Sequence, residues 1–347
     1  MADFTLKKEG IGSFFHEYNP ELLKNNSYQF SENYHLFYTG RHALKSILSG
    51  LEIKKNSAIW IPAYYCQHVS SWLIYCFPNI KKYYIDPFAP EKTVNFSFVK
   101  PNDILIVNNF SGLFNYSYIK TCGTLIEDQS HGWGSNACIK SNADFCFASL
   151  RKTIPVPLAG IAWSPKNKHI IKEVDSKNEY FDTPWNLISE SFKLKAKYIS
   201  ESLDVSVKEK YTELVQDGET FLHQQHRVIM DSPAHKLEMI KFLQKDFIHY
   251  KQKNFREIKN NLSDNSLFKV NNFKNRTPFG LQLLFDNMHN YNLVKKKLVD
   301  EGIYPSQLWA NNGEFQKWHL LLNIHIDFRY SISDMNFITR ILNQLTD

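Results

Sequence analysis

The stretch 144-DFCFASLRKTIPVPLAGIAW-163 decides how this chain is to be read. Phe145 to Ala148 form a short, continuous apolar run, and runs that do not alternate fit strands buried on both faces. The run ends in Ser149, Leu150, Arg151 and Lys152, and prolines and a glycine follow at once. A cation closing a buried strand needs a reason. Partly desolvated and beside a second cation, a lysine amine becomes a competent nucleophile toward a carbonyl. The same residues taken alone also describe a surface lysine in a turn.

Similar runs recur on both sides: 57-SAIWIPAYY-65, 80-IKKYYID-86, 103-DILIVNNF-110, 122-CGTLIED-128 and 158-LAGIAWS-164. Between them lie helix-sized segments such as 66-CQHVSSWLIYCF-77, where Val69, Trp72, Leu73 and Cys76 follow helical spacing. Ahead of them, 41-RHALKSILSGL-51 reads as a helix with Ala43, Leu44, Ile47 and Leu48 on one face. Strands alternating with helices predict an α/β fold with a mostly parallel sheet.

Past residue 165 the text becomes charged and helical, and 234-AHKLEMIKFLQKDFIHYKQKNFREIKNNL-262 is its clearest amphipathic stretch. Then 278-PFGLQLLF-285 reads as a strand, 290-NYNLVKKKLVDEG-302 as a helix and 320-LLLNIHI-326 as a strand. A last helix over 333–345 opens on Ser333, a residue able to cap it. The expected division is a large α/β domain over 1–230 and a small α+β domain over 231–347.

The totals narrow the classes. With 43% hydrophobic and 22% charged residues, 347 residues suffice for two globular cores. The formal charge of +6 is spread over short runs, with no zinc-finger pattern or basic stripe, so nucleic acid is not the expected partner. Five cysteines without CxxC spacing suggest a reducing compartment, and no known metal-ligand set is matched. Without a signal-peptide pattern or an apolar run of 18 residues, the expectation is a cytoplasmic protein away from the membrane.

Two further motifs fall where α/β proteins place ligands. In 39-TGRHAL-44, Gly40 leads into a helix whose free N–H groups and positive dipole suit a phosphate, with Arg41 able to add a charge-assisted contact. In 124-TLIEDQSH-131, Glu127 and Asp128 close an apolar strand and His131 follows. A carboxylate there can hold a proton on a heterocyclic nitrogen. Each motif alone also reads as an ordinary helix start or a strand-end acid capping a loop. Together, a phosphate cradle, an acid and a lysine 24 residues later describe a ligand with a phosphate, a basic ring nitrogen and an aldehyde. That ligand is pyridoxal 5′-phosphate.

With these residues the chain resembles the DegT/DnrJ/EryC1/StrS family of pyridoxal-phosphate-dependent sugar aminotransferases, of fold type I. The likeness covers roughly residues 35 to 345. It rests on the motifs above, on 61-IPAYYC-66, 302-GIYPSQLW-309 and 324-IHIDFRYSISDM-335, and on the Pro-x-Pro-x-x-Gly after Lys152. The resemblance implies a mainly parallel, seven-stranded large-domain sheet, a smaller C-terminal α+β domain and a homodimer sharing its active sites.

It also implies roles. Lys152 falls where the family's lysine joins the cofactor aldehyde, and Asp128 where a carboxylate pairs with the pyridine nitrogen. His131 matches the contact to the ring hydroxyl. Gly40, Arg41 and His42 fall at the phosphate cradle, and Ser149 is a hydroxyl contact to the same group. Tyr65 is preferred over Cys66 as the residue stacking on the ring. Phe110, Trp309 and Arg151 are expected to bind substrate. The usual Ser-Phe-His-x-x-Lys is replaced by Ala-Ser-Leu-Arg-Lys, and 225-QHRVIMDSPAH-235 stands where a partner subunit's Gly-x-Asn-x-Arg-Met reaches the phosphate. The function implied is transfer of an amino group, with glutamate as donor, to a keto group of a nucleotide-linked sugar in surface polysaccharide or glycan synthesis. Elimination or dehydration on the same fold, and a non-catalytic cofactor-binding role, are the alternatives. A Rossmann-type enzyme is disfavoured, because 59-IWIPAYYCQH-68 has no glycine.

Overall fold

The computed structural model describes residues 10–345 apart from 13, 27–32, 90–93, 170–178, 202–203, 225–232, 272–275 and 310–319. The apolar runs form seven strands: β1 Tyr34–Phe37, β2 Ile59–Pro62, β3 Ile80–Tyr83, β4 Ile104–Asn108, β5 Thr124–Asp128, β6 Phe145–Ser149 and β7 Gly160–Trp163. They pair in the order β1-β7-β6-β5-β4-β2-β3. From β3 through β6 every pairing is parallel, whereas β7 runs antiparallel to both β6 and β1. The mainly parallel, seven-stranded α/β architecture is as the resemblance implied.

Continuity of apolar residues follows from this position. All five residues of β4 are buried, and in β6 only Ser149 is not. Full burial of a side chain such as Phe145 or Phe147 is worth about 1.5–3 kcal/mol. An alternating strand would place polar groups under one of the covering helices. The first of these, α1 (Gly40–Gly50), turns Ala43, Leu44, Ile47 and Leu48 onto the sheet. The next, α2 (Gln67–Cys76), adds Trp72 and Leu73.

Parallel pairing brings the carboxyl ends of the strands to one edge. Asn108 of β4 sits opposite Asp128 of β5, and Asp128 opposite Phe147 of β6. Ser149 and Lys152 therefore emerge two and five residues beyond the level of Asp128. The start of α1 is pressed against the same edge. A Cβ on Gly160 would lie 2.2 Å from the Thr39 carbonyl oxygen, and one on Gly40 would lie 3.0 Å from the Ser149 nitrogen. Only glycine permits that approach.

β1 is the strand the sequence did not announce. Two of its four residues, Tyr34 and His35, are only half-buried, and it pairs on one side alone, against β7. A four-residue helix, α3 (Asn136–Ile139), follows β5, and the long helices α4 (Glu179–Ser200) and α5 (Val205–Gln224) pack on each other. The amphipathic stretch 234–262 is two helices, α6 (Pro233–Leu243) and α7 (Phe247–Asn261). Asp246 separates them, because its side chain accepts the His249 N–H and so caps a new helix.

A second, antiparallel sheet of β8 (Lys269–Val270), β9 (Leu281–Phe285) and β10 (Leu320–Ile324) runs in the order β10-β9-β8. With α7, α8 (Met288–Asp300) and α9 (Ile332–Asn343) it buries its own apolar cluster, including Leu283, Phe285, Leu298 and Ile338. The cap of α9 is Ser331 rather than Ser333: Ser331 and Asp334 exchange bonds in a capping box. The boundary expected near 230 falls outside the described residues. Among the described residues no helix is long and apolar enough to cross a membrane.

Candidate active site

A cavity of about 130 Å³ opens at the carboxyl edge of the large sheet. Its wall includes Gly40 and Arg41 from α1, Asp128 from β5, and Ser149, Arg151 and Lys152 from the end of β6. Three sequence motifs lying more than a hundred residues apart at their extremes thus meet in one space.

Asp128 is 4% exposed. Its Oδ2 accepts the Tyr65 hydroxyl at 2.8 Å and its Oδ1 accepts the Ser130 N–H at 2.9 Å. A carboxylate has about four acceptor positions, so both oxygens are oriented while capacity for a further donor remains. Burial, followed by the charge of Asp128, pushes the Tyr65 phenol well above its ordinary range, which keeps it a donor.

Lys152 Nζ lies 3.1 Å from His131 Nε2. The other ring nitrogen, Nδ1, accepts the Ser111 N–H at 3.2 Å. His131 is stacked between Phe279 (4.7 Å, 24°) and Trp309 (5.2 Å, 23°). Burial first, and then the Lys152 and Lys251 charges, hold its pKa well below the usual histidine value. The imidazole is neutral.

The basic side of the cavity is more crowded than the sequence indicated. Arg41 donates to the Leu222 carbonyl at 2.8 Å. Arg151 donates to the Pro157 carbonyl at 3.0 Å and forms an ion pair with Glu219 of α5. Burial, then the neighbouring Arg41, pulls the Arg151 pKa down to about 10. Two guanidinium groups therefore share the wall with the positive end of α1 and two carboxylates, Glu219 beside Arg151 and Asp128. That arrangement favours an added anion.

Five expected residues, Tyr65, His42, His131, Phe110 and Trp309, do not line the cavity. Tyr65 was expected to stack over a ring in the site, but its ring is buried beneath Asp128, and Cys66, His68 and Val69 line the wall in its place. His42 was expected to offer its N–H to a phosphate. That N–H is used by Thr39 Oγ1, 3.2 Å away, and the His42 ring packs edge-on against Phe181. Phe110 and Trp309 lie 4.9 Å apart in an aromatic cluster with Tyr64 and His131, beside the cavity rather than in its wall. Trp309 is still within reach of the amine, with Lys152 Nζ 6.0 Å from its ring.

The backbone path can be compared with solved structures. Spr1654 of Streptococcus pneumoniae, assigned as a sugar aminotransferase and solved in a PMP form, superposes with a TM-score of 0.57 at 11% identity, over 89% of this chain and 85% of that one. CalS13, a sugar aminotransferase of Micromonospora echinospora, gives 0.55 at 11% identity, over 89% and 86%. A DegT DnrJ EryC1 StrS aminotransferase of Brucella abortus gives 0.56 at 13% identity, over 90% and 85%.

The chain shares the backbone fold of these three proteins. No family model matches it, and no curated protein does. The likeness is one of backbone.

On this fold, four site residues make contacts that no sequence motif indicated. Tyr65 orients the acid, and Ser130 gives it an N–H while its Oγ accepts the Ser149 N–H at 2.8 Å. Glu219 arrives from a helix 68 residues beyond Arg151. Ser111 reaches His131 through its backbone, for which no side-chain pattern exists. Among the described residues, no cluster of three or more His, Cys, Asp or Glu side chains has the geometry to hold a metal ion.

Proposed function

We propose that the chain is a pyridoxal-phosphate-dependent aminotransferase that passes an amino group from an amino-acid donor, glutamate in the simplest case, to a keto group of a nucleotide-linked sugar. A role in surface polysaccharide or glycan synthesis, in the cytoplasm and as a homodimer, belongs to the same reading. The observation that carries it is one cavity holding a lysine amine, an oriented carboxylate, and two arginines at a helix N-terminus.

The residues fit the cofactor. Its phosphate would meet the start of α1, Arg41, Ser149 and Arg151, and its ring nitrogen would meet Asp128. Bound there, the cofactor supplies an aldehyde that takes up the donor's amine and a ring that accepts the electron pair left on the donor's α-carbon. Lys152 would hold it and, once displaced by the donor's amine, would take the α-carbon proton on Nζ and deliver it to the former aldehyde carbon on the other side of the shared nitrogen. Asp128, fixed by Tyr65 and Ser130, keeps a proton on the ring nitrogen. His131, neutral and wedged between two aromatic rings, offers a hydrogen bond next to Lys152. Phe110 and Trp309, beside the cavity, are the apolar residues nearest to where a sugar or nucleotide face would lie.

The absorbance spectrum of the purified protein tests the reading. A visible band should be present, and borohydride should attach the chromophore to the peptide carrying Lys152. Bleaching by glutamate alone supports transamination over elimination. A label on any other peptide sinks the assignment.

A further inference from the structure

Ser111 stands in the turn after β4 with φ 59° and ψ 9°, fully buried. This is the left-handed region, which a residue with a Cβ adopts only at a cost and only where its surroundings hold it there. Three groups of Ser111 are engaged. Its N–H donates to His131 Nδ1 at 3.2 Å, its carbonyl accepts the Phe279 N–H at 2.7 Å, and its Oγ accepts from Gln282 Nε2. The following residue, Gly112, is also left-handed at φ 73°, and a Cβ there would lie 2.7 Å from the Thr277 carbonyl oxygen and 3.1 Å from that of His131. The turn is thus gripped between the His131 segment and the 277–282 segment that leads into the small sheet.

The hydrogen-bond direction has a chemical consequence. A backbone N–H can only donate, so Nδ1 of His131 must be the accepting nitrogen. A neutral imidazole then carries its single proton on Nε2, the atom 3.1 Å from Lys152 Nζ. Only a neutral amine offers a lone pair to that N–H, and an amine with a lone pair is the form that attacks a carbonyl. Phe279 joins both halves of the arrangement, since its N–H holds the Ser111 carbonyl and its ring covers His131 at 4.7 Å.

We propose that Ser111 is a positioning residue: its left-handed backbone aims an N–H at His131 Nδ1 and so makes His131 an obligate Nε2–H donor toward Lys152. Docking of the 277–282 segment on Ser111 holds that orientation, so the donor is set only when the small sheet is seated on the large one. The importance of this for catalysis rests on the proposed aminotransferase reading, whereas the tautomer itself does not.

The test is a long-range proton–nitrogen correlation spectrum of the full-length protein with nitrogen-15-labelled histidine. His131, assigned by its loss in His131→Gln, should show a protonated Nε2 and an unprotonated Nδ1 at neutral pH. A protonated Nδ1, or a charged ring, overturns the proposal. Ser111→Gly keeps the left-handed turn and its N–H and should keep the pattern. Ser111→Val, β-branched and strongly disfavoured at positive φ, should lose it. Loss of the pattern in Ser111→Gly, or its persistence in a folded Ser111→Val, also overturns the proposal. If Ser111→Val does not fold, the wild-type and Ser111→Gly spectra still decide. A colourless protein with the stated tautomer removes the cofactor reading alone. A coloured one with a protonated Nδ1 removes this inference alone.

Discussion

Tyr65 donates its hydroxyl hydrogen to Asp128 Oδ2 across 2.8 Å, with both side chains buried. The chain thereby gives one carboxylate oxygen a fixed partner from a different strand end, so the acid keeps one orientation with or without a ligand. Tyr65→Phe should remove this bond at almost constant volume. Leaving a buried acceptor short of a partner costs about 1–3 kcal/mol, more where the acceptor is charged. Denaturant unfolding should show a loss of that size, and titration with pyridoxal phosphate should show weaker binding. Unchanged stability and unchanged affinity would show that the bond orients nothing.

The amine has a cleaner signature. Lys152→Ala should abolish the visible band and the borohydride-fixed label, and should change the unfolding midpoint little. Among the described residues Nζ has one close polar partner, His131 Nε2, and the side chain is only half-buried. A yellow Lys152→Ala protein would end the proposed chemistry.

Legibility of the molecule differed between its parts for physical reasons. β4 and β6 were readable because burial on both faces forces unbroken apolar runs, and Asp128 and Lys152 were readable because parallel neighbours end at one edge. β1 was not, because a half-buried edge strand pairing on one side carries no such run. The break between α6 and α7 was visible only as Asp246, whose capping role depends on the chain turning there. In the site, Tyr65 was picked from the right segment but given the wrong direction. Nothing along 61-IPAYYC-66 says whether Tyr65 or Cys66 faces the cavity; the Tyr65 ring is buried, and Cys66 lines the wall. Glu219 was beyond reach, since helix packing and not sequence proximity brings it to Arg151.

Glu127 gives a pH prediction. It is buried beside Asp128 on β5, and its Oε2 accepts from Gln129 at 2.6 Å. Burial raises its pKa from 4.5 to about 7. The unfolded carboxyl ionises near 4.5, so the contribution of the neutral folded form is complete below that pH and is lost as pH rises through about 7. Glu127→Gln should therefore unfold later than the parent protein at pH 8, by up to about 3 kcal/mol at 1.36 kcal/mol per pH unit. At pH 4 the advantage should vanish. An advantage equal at both pH values would mean that Glu127 titrates as an ordinary acid.

Arg41 and Arg151 separate the phosphate from the rest of the cofactor. Both line the cavity, Arg151 is already steadied by Glu219, and the positive end of α1 lies between the same walls. A hydrogen bond to a charged group contributes about 1.5–3 kcal/mol, so removal of one guanidinium should weaken pyridoxal phosphate binding by roughly 10- to 150-fold. Pyridoxal without its phosphate should bind Arg151→Met and the parent protein equally, because its aldehyde and ring meet Lys152 and Asp128 alone. The comparison of the two ligands by absorbance titration excludes a general loss of structure, which would weaken both. Equal weakening of both would place Arg151 elsewhere, against the substrate or in the packing of α5. Weakening confined to the phosphorylated ligand would mean that this chain neutralises the anion with its own arginines.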